Sequence, residues 1–226
     1  LTAADSSGKN NHGTLFNYLG DDTQWVTGQV NGALTFDGIL HYVEVPDAPS
    51  IGANLTQGFT VSTWFNSAVA LSVGGNTYRM FEKGDCIFLL QGNNNTNSLD
   101  VGGMNVNVKR GGNNYAAGIK QALAANRWYH LAGTFDGQVV RAYLDGELTG
   151  TKTVGGSIDD DKLPLRIGSD DATSHFNGLM DDVRIWDRAL SDREIRNLVG
   201  RDLPNPPSFI LQPQGADKYA GTSVSF

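Results

Sequence analysis

Two Asp-Gly dipeptides, Asp136-Gly137 and Asp145-Gly146, stand nine residues apart in the middle of this chain. Each separates runs in which apolar residues alternate with polar ones, from Trp128 to Phe135, from Val139 to Leu144, and onward. Asp-Gly in that setting favours a tight hairpin, because both central positions want φ > 0. Two such turns in succession predict three consecutive antiparallel strands over 128–153. Composition agrees: 18% charged residues and 28 glycines suit short strands joined by many turns, and 39% hydrophobic residues allow a real core.

The same signals recur outward from this meander. Residues 1–16 read as a polar, glycine-punctuated loop that ends in a short strand. Ala33–Phe36 and Tyr42–Val45 alternate, with Asp37-Gly38 turning between them and Pro46 stopping the second. Phe59–Phe65 is the cleanest strand, with Phe59, Val61, Thr63 and Phe65 on one side and Thr60, Ser62 and Trp64 on the other. Residues 79–90 and 98–109 read as two more strands around an Asn-rich turn, and Lys109–Asn114 as a second Gly/Asn loop. Leu165–Gly168 and Met180–Trp186 are further strands. Ser191 followed three residues later by Glu194 is a capping box, so one short helix is expected there. The expected fold is all-β: a two-sheet antiparallel jelly-roll sandwich with one short C-terminal helix, over 1–200. Three prolines in 201–207 mark a linker, and 208–226 read as the truncated start of a second unit.

The formal net charge of -7 disfavours nucleic acid, since an acidic chain repels phosphate. One cysteine, Cys86, permits no internal disulfide; beside Ile87–Leu90 it reads as a buried strand residue. No stretch has the length of a membrane span, and Leu1 opens directly into polar sequence without a signal peptide.

Several strings together resemble the laminin-G-like (concanavalin A-like) jelly-roll family of bacterial extracellular proteins: DSSGKNNHGTL at 5–15, GALTFDG at 32–38, YVEVPD at 42–47, FTVSTWF at 59–65, WYHLAGTFDG at 128–137, YLDGELTG at 143–150, LRIGSD at 165–170 and FNGLMDDVRIWDRALSDREI at 176–195. They stand in the family's order. The tail resembles the opening of a bacterial immunoglobulin-like domain. The resemblance implies an extracellular or cell-surface module linked to further domains. It also implies a strand ahead of the Asp-Ser-Ser-Gly loop, and Leu1 falls where that strand would already have ended, so an edge or its pairing partner is expected to be missing.

Two oxygen-rich clusters bear on metal binding: Asp5 with Asn10 and Asn11, and Asp181 with Asp182. Calcium takes six to eight oxygen ligands from such groups. The resemblance implies that these loops approach each other and that a structural calcium can sit there, with Asp37 as a further ligand. The competing reading is that Arg184, Arg188 or backbone amides satisfy Asp181 and Asp182, and that Asp5 caps its own loop. The run Asp159–Asp161, with Asp170 and Asp171, reads as solvated surface.

Nothing in the pattern points to catalysis. Glu44, Glu82, Glu147 and Glu194 are single and scattered, whereas a glycosidase needs paired carboxylates. His12, His41, His130 and His175 are scattered too, and no nucleophile elbow or His-Glu-x-x-His occurs. Trp64, Trp128 and Trp186 read as core, while Trp25 lies in a loop-like stretch. Loop residues Tyr78, Arg79, Asn93, Asn94, Asn95, Asn113, Asn114, Tyr115 and His175 are the ligand candidates, set against ordinary turn chemistry. The expected function is a non-catalytic carbohydrate-binding or adhesive module that binds a glycan, a polysaccharide or another extracellular protein. The alternatives are a structural or protein–protein spacer and, further off, a polysaccharide hydrolase or lyase on the same sandwich.

Overall fold

The computed structural model describes residues 1–71, 78–84, 86–91, 104–119, 121–170 and 174–201. Its strands, in chain order, are β1 (Thr2–Ala3), β2 (Gly13–Phe16), β3 (Trp25–Thr27), β4 (Gly32–Asp37), β5 (Tyr42–Val45), β6 (Phe59–Ser67), β7 (Tyr78–Lys83) and β8 (Ile87–Gln91). There follow β9 (Met104–Arg110), β10 (Asn113–Ile119), β11 (Trp128–Phe135), β12 (Val139–Leu144), β13 (Glu147–Thr153), β14 (Leu165–Ile167) and β15 (Asn177–Trp186), then the helix α1 (Asp192–Leu198). Three short 3-10 turns lie at Asp22–Gln24, Pro49–Ile51 and Ala53–Leu55.

The strands make two antiparallel sheets. Sheet A runs β1-β2-β5-β14-β7-β8-β9-β10 and sheet B runs β13-β12-β11-β6-β15-β4-β3. This is the expected all-β sandwich with its C-terminal helix. Alternation decides which side chains enter the core. From sheet B, Phe59, Val61 and Phe65 of β6 and Leu131 and Phe135 of β11 point inward. They meet Val43, Leu165, Phe81, Val106 and Val108 of sheet A. Burying each such side chain contributes about 1.5–3 kcal/mol, and that sum is what opposes chain entropy.

The central meander forms as expected, with β11 paired to β12 and β12 to β13. Its two turns differ. Asp145 and Gly146 both take φ > 0, at 49° and 83°. At the other turn only Gly137 does, and the Asp136 carboxylate instead accepts the amides of Gln138 and Val139.

Several expectations need correction. A strand does precede the Asp-Ser-Ser-Gly loop: Thr2 and Ala3 pair with Thr14 and Gly13. Residues 79–90 are a hairpin rather than one strand, because Gly84 at φ 48° reverses the chain between β7 and β8. Cys86 is buried but sits in that turn. Asn113, Asn114 and Tyr115 belong to the edge strand β10, since the reversal is completed by Gly111 and Gly112. Trp64, Trp128 and Trp186 are outside the main core: they alternate with the inward residues and stand on the outer face of sheet B. There Ile195 of α1, with Leu190 just ahead of the helix, packs on Ala132 and Tyr143 with Trp186 alongside. The capping box forms in full, with the Ser191 hydroxyl accepting from the Glu194 amide and the Glu194 carboxylate accepting from the Ser191 amide. Apart from Arg201, the linker and the unit at 208–226 lie outside the described residues.

The run Asp159–Asp161 is not merely solvated. Asp159 accepts the amides of Gly111 and Gly112 at 2.8 and 3.0 Å. Asp160 pairs with Lys162 and lies 3.8 Å from Lys83. Asp161 accepts the amide of Leu163.

Candidate binding site

The metal-ligand candidates divide once placed. Asp5, Asn11, Asp181 and Asp182 line one cleft of about 810 Å³ at the corner where β1 and β15 approach; Asn10 and Asp37 do not line it. Each carboxylate is already engaged by protein. Asp5 accepts from the Ser7 amide and hydroxyl and from the Asn11 amide, at 2.8–2.9 Å. The Ser7 amide first, then the Asn11 amide and the Ser7 hydroxyl, hold this carboxyl below its usual value. Asp181 is 5% exposed and accepts the Val30 amide at 2.6 Å. It lies against Gly28, where a Cβ would overlap the carboxylate. Asp182 sits in a bulge at φ 52° and pairs with Arg184 at 2.7 Å. Asp37 holds the amides of Ile39, Leu40 and His41 at 2.9–3.0 Å. Burial alone would raise the Asp37 carboxyl, but these three amides hold it below its usual value. Arg188 goes to Glu194 instead. Among the described residues no three His, Cys, Asp or Glu side chains converge as a metal site.

The ligand candidates also divide. Tyr78 and Arg79 open β7, and His175 forms an isolated bridge with Arg79. Asn113, Asn114 and Tyr115 begin β10 at the other end of sheet A, since Tyr115 stands in register with Val108, Ile87 and Lys83, whereas Tyr78 is in register with Gln91 and Met104. Asn93, Asn94 and Asn95 lie outside the described residues.

Register assembles a surface that scattered positions in the sequence did not suggest. Leu15, Val43 and Leu165 point into the core, so their neighbours Phe16, Tyr42, Glu44 and Arg166 face outward from sheet A. Phe16 and Tyr42 stack, with ring centroids 4.8 Å apart and planes at 4°. Arg166 stands over Tyr42, 5.8 Å from its centroid, and donates to Glu44 at 2.9 Å. Glu82 flanks Arg166 from the other side, on β7. Arg79 lies 3.4 Å from Glu82 and 3.8 Å from Asp170. Farther along, Asn107 and Asn105 on β9 have buried side-chain carbonyls without a hydrogen-bond partner, as does the buried His175 Nδ1. Aromatic edges beside charged and amide groups on one rigid sheet can hold a polar ligand that also offers apolar ring faces. Glu44 and Glu82 are two strands apart, about 10 Å. The Arg166 guanidinium between them compensates their charge, which is a positioning arrangement rather than an acid–base pair.

A family model described as the concanavalin A-like lectin/glucanases superfamily matches residues 36–196. The chain belongs to this superfamily. Solved structures of comparable shape include domain 4 of an extracellular arabinanase from Geobacillus stearothermophilus, in complex with arabinotriose. It is 19% identical, with 87% of this chain and 92% of that chain covered and a TM-score of 0.66. The binding domain of Paraclostridial mosquitocidal protein 1 is 18% identical over 87% of this chain and 48% of that one, TM-score 0.67. A heptameric SAP-like pentraxin from Limulus polyphemus is 16% identical over 74% and 81%, TM-score 0.54. At these identities the likeness is one of fold. In sequence, 107 residues are 29% identical to the adhesion G-protein coupled receptor V1 of Danio rerio; the match takes in 44% of this chain and 2% of that relative's length. Among the described residues, no helix of this superfamily domain is long and apolar enough to cross a membrane.

Proposed function

We propose that this domain is a non-catalytic carbohydrate-binding module of a larger secreted bacterial protein, and that the outer face of sheet A is its glycan site. The observation that carries the reading is the Phe16–Tyr42 pair set beside Arg166 and Glu44. Pyranose and furanose rings present apolar C–H faces to aromatic groups and hydroxyls to charged ones, and this surface offers both within one row. The arabinotriose complex of a solved neighbour and the family's lectin members support the class of ligand. In this reading residues 208–226 open a following immunoglobulin-like domain, and the protein works outside the cell.

A structural calcium belongs to the same proposal. Asp5, Asn11, Asp181 and Asp182 would hold it at the mouth of the corner cleft, where it would exchange for the hydrogen bonds that Asp5 and Asp182 now make.

A second reading, protein–protein adhesion, is favoured by a separate observation. Leu19, Ile39 and Leu40 stand exposed at one end of the sandwich, Leu19 at 89%. Their turn is locked by Asp37 and by the Asn17 amide, which donates to the Leu40 carbonyl at 2.8 Å. Rigid exposed aliphatic tips are characteristic of contact surfaces.

Binding to a panel of soluble polysaccharides and arabino-oligosaccharides, each with calcium and with chelator, tests the choice. Saturable binding that Tyr42→Ala or Arg166→Ala weakens at least about tenfold supports the glycan site. Binding insensitive to both variants rejects that face. No binding by the folded protein under either condition favours the adhesion reading.

A further inference from the structure

Every residue from Met180 to Asp187 lines the corner cleft. After the bulge at Asp182 and Val183, successive residues again point to opposite faces, so Arg184, Ile185 and Trp186 together can line one cavity only if it runs along the strand's backbone edge. The pairing of β15 agrees. On one side β6 follows it to Trp186. On the other side β4 pairs with Asn177–Met180 and no further. Among the described residues, the backbone of 182–187 therefore has an open edge on the β4 side.

The floor of the cleft faces that edge from sheet A. It is made of Val43, Val45, Leu165 and Ile167, with Val183 and Ile185 of β15 itself half-buried along the side. Val43, Val45 and Leu165 are only 2–5% exposed, so the apolar surface open to a ligand is that of the half-buried Ile167, Val183 and Ile185. The opposite edge of the sandwich is shut: β10 and β13 meet there, backbone to backbone, at Gly118 and Gly150. The rim carries Asp5, Asp182 and Asp187 against Lys9 and Arg184, an excess of negative charge.

We propose that this cleft is a strand-acceptor site: an extended segment of a partner polypeptide adds to sheet B along Asp182–Asp187. The open row of amides and carbonyls is matched by another β-strand and not by a sugar. The floor takes apolar side chains from alternate positions of that segment. The acidic rim favours Lys or Arg at its ends. The edge holds a bulge at Asp182 and Val183 and three residues in regular register, Arg184–Trp186, enough for a short added strand. The site is distinct from the outer face of sheet A, so the glycan face and this cleft succeed or fail separately; the cleft shares Asp5 and Asp182 with the proposed calcium site, so the peptide titration is run in chelator.

The probe is a labelled, end-capped peptide of sequence KVTVTVK, compared with KVTPTVK, in which the central ring removes one amide donor and fits a ladder poorly. Titration is followed by fluorescence anisotropy, and amide hydrogen exchange locates the peptide. The expected result is saturable binding of the first peptide, about tenfold or more weaker binding of the second, and new protection confined to 182–187 and the rim. A Val183→Lys variant of the folded protein should weaken binding comparably; if it does not fold, the comparison of the two peptides on the unaltered protein still decides. Equal binding of both peptides, protection elsewhere, or no saturable binding overturns the proposal.

Discussion

His130 stands edge-on to Trp64 across the β11–β6 ladder, with ring centroids 5.2 Å apart and planes at 65°. Both lie on the outer face of sheet B. His130 is 2% exposed, and its Nδ1 and the Trp64 Nε1 are buried without hydrogen-bond partners.

Burial, and then the nearby charge of Arg184, push the His130 imidazole from 6.5 down to about 4. The folded protein therefore keeps His130 neutral where the unfolded chain takes up a proton. Stability falls as pH drops from 6.5 towards 4 and changes no further on this account below that. The full loss is about 3 kcal/mol at 1.36 kcal/mol per unit. Urea unfolding at pH 7, 5.5 and 4 should show it. In His130→Gln this contribution should be missing from the variant's own profile and so appear as a pH-dependent difference between wild type and variant; an unchanged pH profile in the variant would reject the assignment.

Lys83 is a second buried polar side chain, and it has partners. It is 2% exposed, lies 2.9 Å from Asp47, and donates to the Leu163 carbonyl. It thus ties the end of β7 to the loops at Asp47 and Asp160. Lys83→Met leaves Asp47 without this partner while Asp160 keeps Lys162, and since both carboxylates reach water the loss should be about 1–3 kcal/mol in chemical denaturation. Lys83→Arg should not restore full stability, because a planar guanidinium does not fit a site shaped for a compact ammonium.

Gly150→Ala tests the shut edge of the sandwich. A Cβ at 150 would overlap the Gly118 backbone, which has no side chain to move aside. A loss of about 1–3 kcal/mol is expected, as for overpacking elsewhere. Calorimetry that gives a wild-type melting temperature would show that the two sheets do not meet there so closely.

Asp37→Ala leaves three amides of the 39–41 turn without their acceptor. The turn is open to water, so the loss should be near about 1–2 kcal/mol. The same loss in calcium and in chelator would assign Asp37 to the turn alone. A loss seen only with calcium present would return it to a metal site.

Most of the fold was legible because it rests on local signals. Alternation in β6 gave the inward faces of Phe59, Val61 and Phe65, and Asp145-Gly146 placed the β12–β13 turn. Ser191 and Glu194 marked the start of α1. The hairpin at Gly84 was missed although Glu82-Lys83-Gly84-Asp85 is a polar break between two apolar runs, because the segment was weighed as one strand. The tryptophans were placed in the core because their hydrophobicity was weighed above their parity in the strand. The outer face of sheet A could not be read at all: Phe16, Tyr42 and Arg166 are drawn from three strands, and only register makes them neighbours. Asp5 and Asp181 line one cleft, but the amides that engage them are a property of loop geometry rather than of residue type.

The Gly118–Gly150 contact makes the sandwich resemble a book bound along one spine. Pages bound on one side can part only on the other, so thermal breathing should grow across each sheet, from the spine outward to β3 and β1. Loops near the spine are then poor places for grafted insertions, whereas the free side can spread to admit new sequence without unbinding the rest.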